Sequence, residues 1–179
     1  AQANLDQAFK ASGKSQKVYG KSVDDTIQKI SKLSGIDDEL VSRSFADLLR
    51  TTGDVAESTR DIGLAADIAR GRHISLAAAA KIVEKAENGQ LGSLKKIGVH
   101  LDKGTTKTEA LREAQRKFAG SAVSYGKTAQ GAQERLSVAF ENLQERVGKK
   151  LLPVFEDLTK KAIKFLDWLE RNWPRIYAT

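Results

Sequence analysis

The chain predicts an all-α protein: a compact bundle of short helices followed by a long helical segment, either kinked or folded back as a helical hairpin. Three observations carry this expectation. Only two prolines interrupt 179 residues, and 30% charged against 40% hydrophobic positions is a helix-rich, soluble balance rather than a disordered one. Residues 22–98 break into short apolar-periodic segments punctuated by glycines. Beyond residue 105 one uncharged stripe keeps helical time almost to the end of the chain.

Residues 1–21 are weakly patterned, with Gly13 and Gly20 among Ser, Lys and Gln, and read as a linker or frayed helix. Residues 22–104 read as the bundle. Its first helix starts at Ser22, with Asp25 three residues on as a capping-box partner, buries Val23, Ile27, Ile30 and Leu33, and stops at Gly35. The next begins near Asp37 or Asp38, buries Leu40, Val41, Phe45, Leu48 and Leu49, and ends at Gly53. Asp54 caps a third, with Val55, Ile62, Ala66 and Ala69 inward and Gly71 as its stop. Ser75 caps a fourth, from Leu76 to Asn88, centred on Ile82 and Val83. A single turn follows at Ser93–Ile97, and Val99 to Gly104 reads as a loop or short extended piece. Short helices with tight glycine connections form bundles.

Residues 105–179 form the long segment, opened by Thr105 or Thr106. Its stripe is clearest at Leu136, Phe140, Leu143, Val147, Leu151, Val154, Leu158, Ala162, Phe165, Leu169 and Trp173, which together predict a helix-packing face. The pattern recurs every eleven residues through Leu136, Val147, Leu158 and Leu169. That is about 3.67 residues per turn, a nearly straight helix with a slight right-handed drift. A seven-residue repeat from Leu136 would put Lys150, Asp157 and Lys164 in the seam, so a heptad coiled coil is not expected. Backwards, the same phase meets Ala110, Ala114, Phe118, Ser121, Tyr125, Ala129 and Ala132, none of them charged.

Four glycines, Gly120, Gly126, Gly131 and Gly148, oppose one continuous helix. Each costs about 1 kcal/mol relative to Ala in an exposed helix interior. The small residues from Ala119 to Ala132 offset this if another backbone approaches closely. Pro153 lacks an N–H and clashes with the carbonyl four residues back, so a kink or break is expected at 148–153. Pro174 is expected to end the last helix.

The sequence offers little chemistry. Two Gly-Lys-Ser tripeptides, at Gly13 and Gly20, lack the glycine five residues upstream that a phosphate loop needs; Ala8 and Ser15 stand there instead. His73 and His100 lie in turn regions, without a second histidine at helical spacing, so no metal site is expected. There is no cysteine, which excludes thiol catalysis, and no Gly-x-Ser-x-Gly elbow. No catalytic residue and no cofactor are expected, and the chain does not read as an enzyme. Methionine is absent even at residue 1, which points to an internal fragment or a processed product. No apolar run long enough to span a bilayer is present, and no positively charged segment leads into an apolar stretch at the start.

The net charge of +7 permits attraction to anionic partners, but acids and bases alternate along most helices, as on solvated faces. No specific nucleic-acid motif occurs. The end from Lys160 to Tyr177 carries Phe165, Trp168 and Trp173 among basic residues. It reads either as a helix packed on a partner or as an amphipathic helix in a membrane interface.

Five phrases occur in one order: Leu48-Leu49-Arg50-Thr51-Thr52-Gly53; Ala65-Ala66-Asp67-Ile68-Ala69; Leu91-Gly92-Ser93-Leu94-Lys95-Lys96-Ile97-Gly98-Val99; Lys117-Phe118-Ala119-Gly120-Ser121-Ala122; and Gly148-Lys149-Lys150-Leu151-Leu152-Pro153. With these phrases the stretch from about residue 22 to 160 resembles the tape measure proteins of long-tailed bacteriophages. The resemblance implies a largely helical structural protein that lies in the tail tube lumen or at the tail tip. Its length sets tail length, and it leaves the tail during DNA delivery. Implied partners are other copies of itself, as in a trimer, tail tube and tail-tip proteins, and tail assembly chaperones in the host cytoplasm; the alternative reading of the Trp168–Trp173 end adds the host membrane during delivery. No catalytic site maps onto these phrases. The short helices of residues 22–98 are more globular than a pure ruler needs.

Overall fold

The computed structural model describes the backbone of residues 2–176 and the side chains of residues 2–172. The described chain is all-helical, without a strand: α1 (Gln2–Ala11), α2 (Gln16–Ser34), α3 (Asp38–Thr52), α4 (Val55–Arg72), α5 (Leu76–Glu87), α6 (Gly92–Lys96), α7 (Lys107–Phe118), α8 (Ser121–Gly126) and α9 (Ala129–Ile176). It divides into two compact units, Ala1–Val138 and Ala139–Thr179.

In the first unit α4 is the central helix, packed against α2, α3, α5, α7 and α8. Its alanines, Ala65, Ala66 and Ala69, are buried beside Ile62, Leu64 and Ile68, and their small size lets several helices approach at once. The helix starts are set locally. Asp37 accepts from the Leu40 amide at 3.1 Å, Asp54 from the Ala56 and Glu57 amides at 2.8 and 2.9 Å, and Ser75 from the Ala78 amide at 3.2 Å. Thr106 forms a capping box with Glu109 at the start of α7. Each such cap is worth about 1 kcal/mol. Gly35 and Gly53 close α2 and α3 in the left-handed conformation.

The N-terminal stretch differs from the expectation of a linker or frayed helix at 1–21. α1 packs on α3 and buries Leu5, Ala8 and Phe9, while α2 begins at Gln16 and runs through Ser22. The apolar spacing of Leu5, Ala8 and Phe9 outweighs the neighbouring glycines because α3 supplies a surface to cover. Other boundaries move by smaller steps. α4 passes Gly71 and is closed by His73 at φ 53; Gly71 serves close approach rather than a stop, since a side chain there would meet Phe118 and Ser121 at 3.0 Å. Leu33 and Leu40, 37% and 47% exposed, are not buried as expected.

The expected division at 104/105 also shifts. α7 and α8 bury Ala110, Ala114, Phe118 and Ala122 against the bundle, so they belong to the first unit. The long segment breaks at Gly120, whose φ is 78, and again after Gly126. It does not break at Gly131, Gly148, Pro153 or Pro174, all of which lie within α9. A proline keeps a helical φ and removes one hydrogen bond. Around Pro153 the helix is exposed, so water can take the carbonyl that the missing N–H would have bonded. In the second unit α9 is a single helix, and no described side chain of that unit is buried.

Candidate helix-packing surface

Within the first unit the root of α9 is held by close backbone approach. A Cβ on Gly126 would lie 1.9 Å from the Leu33 carbonyl oxygen, and one on Gly131 would lie 2.1 Å from the Tyr125 carbonyl oxygen. The small residues of this stretch therefore serve contact within the chain. Glu134 anchors the same root: its carboxylate pairs with Arg70 at 2.9 Å and accepts from the Tyr125 hydroxyl at 2.8 Å. The Arg70 guanidinium lies over the Tyr125 ring, 4.3 Å from its centre. Arg135 donates to the Gly126 carbonyl at 3.2 Å.

Along the stripe the environment reverses. Ala110, Ala114 and Phe118 are buried, Phe118 to 4% exposure. From Leu136 onward the described side chains of the stripe are exposed or half-buried. Leu136 is 71% exposed and Phe140 58%; Leu143, Val147, Leu151, Val154, Leu158 and Phe165 are also exposed, and Leu169 is half-buried. Trp173 lies outside the described side chains. Phe155 and Leu166 are exposed beside the stripe, so the apolar face is broader beyond residue 154 than before it, while Leu152 and Ile163 are exposed further round the helix. Isolated apolar side chains are ordinary on a surface, but a continuous apolar face on a helix marks an interaction site.

Two carboxylates do structural work that the sequence reading missed. Asp67 on α4 accepts from the Ala122 amide at 2.9 Å and the Gly120 amide at 3.3 Å, and so caps α8. Burial raises its pKa, against the lowering effect of those two amides. Asp61, 5% exposed, sits one turn before Ala65 on the apolar side of α4. Burial, and secondly the charge of Glu87, push its pKa up to about 7. Its Oδ2 has no hydrogen-bond partner. Glu87, its side chain 8% exposed, pairs with Lys107 at 2.8 Å. These groups line a groove of about 320 Å³ with Glu57, Arg60 and Leu111. A signal for Asp61 existed: positions three, four and seven residues on are Leu64, Ala65 and Ile68, all apolar.

The remaining polar candidates stay apart. His73 closes α4 and meets Tyr125 edge-on at 6.3 Å, while His100 is exposed in the loop before α7. Gly13 lies in the turn between α1 and α2, and Gly20 lies inside α2. No cluster of three or more acidic or histidine side chains able to hold a metal occurs among the described residues. No family model, no curated protein and no solved structure matches the chain.

Proposed function

We propose that this chain is a structural segment of a phage tail tape measure protein, acting through helix–helix packing rather than catalysis. The observation that carries the packing role is the uncovered apolar face of α9, in a chain whose first unit has otherwise closed its core. The ordered phrases support the finer reading. Four of them share one core: Asp67 bonds to Gly120 and Ala122, Lys117 donates to the Gly98 carbonyl, and Leu48, Leu49 and Leu94 are buried together with them. In this role the segment occupies the tail lumen or tail tip and contributes length. It also contacts other copies, tube and tail-tip proteins and, in the host cytoplasm, assembly chaperones, before it leaves with the DNA.

Two measurements test the reading. Leu143→Asp combined with Val154→Asp should abolish association; unaltered helicity, melting and oligomeric state would remove the packing role. Duplicating residues 133–176 in the parent phage should lengthen the tail by roughly 66 Å at 1.5 Å per helical residue. Tails of unchanged length in electron micrographs would overturn the ruler.

A second reading has its own observation. Phe165 stacks on Trp168 at 6.1 Å, both exposed, and Trp168 lines a shallow groove with Lys164 and Arg171. That pair suits a membrane interface during delivery, although no described helix is long and apolar enough to cross a membrane. Tryptophan emission that stays unshifted with anionic vesicles at low salt would exclude this role.

A further inference from the structure

Gly148 stands in the exposed interior of α9, and a Cβ there would meet nothing within 4 Å. It costs about 1 kcal/mol against Ala, and no contact within the chain accounts for it. The stripe around it also has a symmetry. Reversing the helix about the Leu152–Pro153 bond exchanges Leu151 with Val154, Val147 with Leu158, Leu143 with Ala162 and Phe140 with Phe165. From Leu136 to Leu169 every stripe position lands on another stripe position, with Phe140 on Phe165.

The two shoulders of the stripe decide direction. At about 3.67 residues per turn, one shoulder carries Arg146, Lys150, Asp157 and Lys161, and the other carries Gly148, Phe155, Thr159 and Leu166. In a parallel pair of helices unlike shoulders meet, which would set Asp157 and the basic residues against Phe155 and Leu166. In an antiparallel pair like shoulders meet. Asp157 then falls between Arg146 and Lys150 of the other copy, and Phe155 falls on its Gly148, where the absent side chain leaves room for the ring. Lys161 approaches Arg146 of the other copy, a cost offset by its own pairing with Asp157 at 2.7 Å.

We propose that α9 binds α9 of a second copy of this chain, antiparallel, about a two-fold axis at Leu152–Pro153. Such an interface is self-complementary and closed, so it stops at the dimer. It is independent of the ruler reading. Copies of a ruler run the same way along a tube, so the antiparallel pair is a form of the free chain that separates on assembly.

The chain has no cysteine, so thiols can be introduced cleanly. Val147→Cys and Leu158→Cys full-length chains, mixed and oxidised, should give the mixed disulfide, with neither variant cross-linking alone. Asp157→Lys should weaken the dimer about ten-fold in sedimentation equilibrium, and Arg146→Glu with Lys150→Glu in the same chain should restore it. Cross-linking of Val147→Cys to itself would establish a parallel pair and overturn the proposal. A monomeric wild-type chain at high micromolar concentration would also overturn it, as would a monomer that pellets with anionic vesicles, which would assign the face to lipid. None of these outcomes bears on tail length, so the ruler reading survives or falls separately.

Discussion

Phe118 and Phe140 stand two eleven-residue repeats apart in the same helical phase, yet one is 4% exposed and the other 58%. Residue type and spacing are the same; only the neighbour differs. Phe118 finds α4 at Gly71, where even a Cβ would come within 3.0 Å of its ring. Phe140 is not buried among the described side chains of its own unit. Periodicity reports which side of a helix should be covered, and the covering surface can lie in the same chain or in another. The sharpest test exchanges the two environments. Phe118→Asp buries an unpaired carboxylate and loses the ring's packing, and should cost about 4 kcal/mol or more. Phe140→Asp should alter the first unit's unfolding by about 0.5 kcal/mol or less. Calorimetric melting of both variants checks this; equal losses would erase the distinction between the two regions.

Glycine sharpens the same contrast. Gly126→Ala drives a methyl group into the Leu33 carbonyl, a backbone atom that cannot swing aside. The expected loss is about 3 kcal/mol, at the upper end for overpacking, with α8 and the root of α9 displaced from α2. Amide exchange across Leu33 and Gly126 would register the displacement. An alanine tolerated there without loss would show that this joint is not set by close approach.

The all-α class, the stops at Gly35 and Gly53 and the caps at Asp54 and Ser75 were legible because they depend on residues within one turn of each other. The contribution of α1 was not, since Leu5 and Phe9 become core only when α3 lies against them. Nor was continuity at Pro153, where hydration of an exposed helix replaces the lost bond. The stripe was legible as a face. That Ala110, Ala114 and Phe118 are buried in the first unit while Phe140 and Leu143 are exposed is a tertiary fact, and the turns at Gly120 and Lys127–Thr128 separate the two stretches. The Asp61–Glu87 pair joins residues on two helices and needed the packed structure to appear.

That pair makes the first unit sensitive to pH. Folded Asp61 titrates near 7, against an ordinary value of 3.8. Between these values the folded chain holds a proton that the unfolded chain has released, so stability falls as pH rises through the window and is flat above it. Asp61→Asn imitates the protonated acid. It should stabilise the first unit by on the order of 2 kcal/mol at pH 8, with the gain vanishing by about pH 4. Urea unfolding at the two pH values measures this. A gain independent of pH would mean that the amide acts through packing rather than through the proton.

The smallest expected effect says most about the second unit. In a lone exposed helix Gly148→Ala should gain about 1 kcal/mol of helix stability, visible as added helicity at low concentration. If Phe155 of a second copy rests on Gly148, the methyl group intrudes on that contact, and the same substitution should weaken association as concentration rises. One substitution therefore acts in opposite directions on the free helix and on the pair. Helicity measured by circular dichroism across a dilution series separates them. A uniform gain at every concentration would mean that nothing approaches Gly148. A gain that fades as the chains associate would identify the glycine as a contact, the counterpart between chains of what Gly126 does within one.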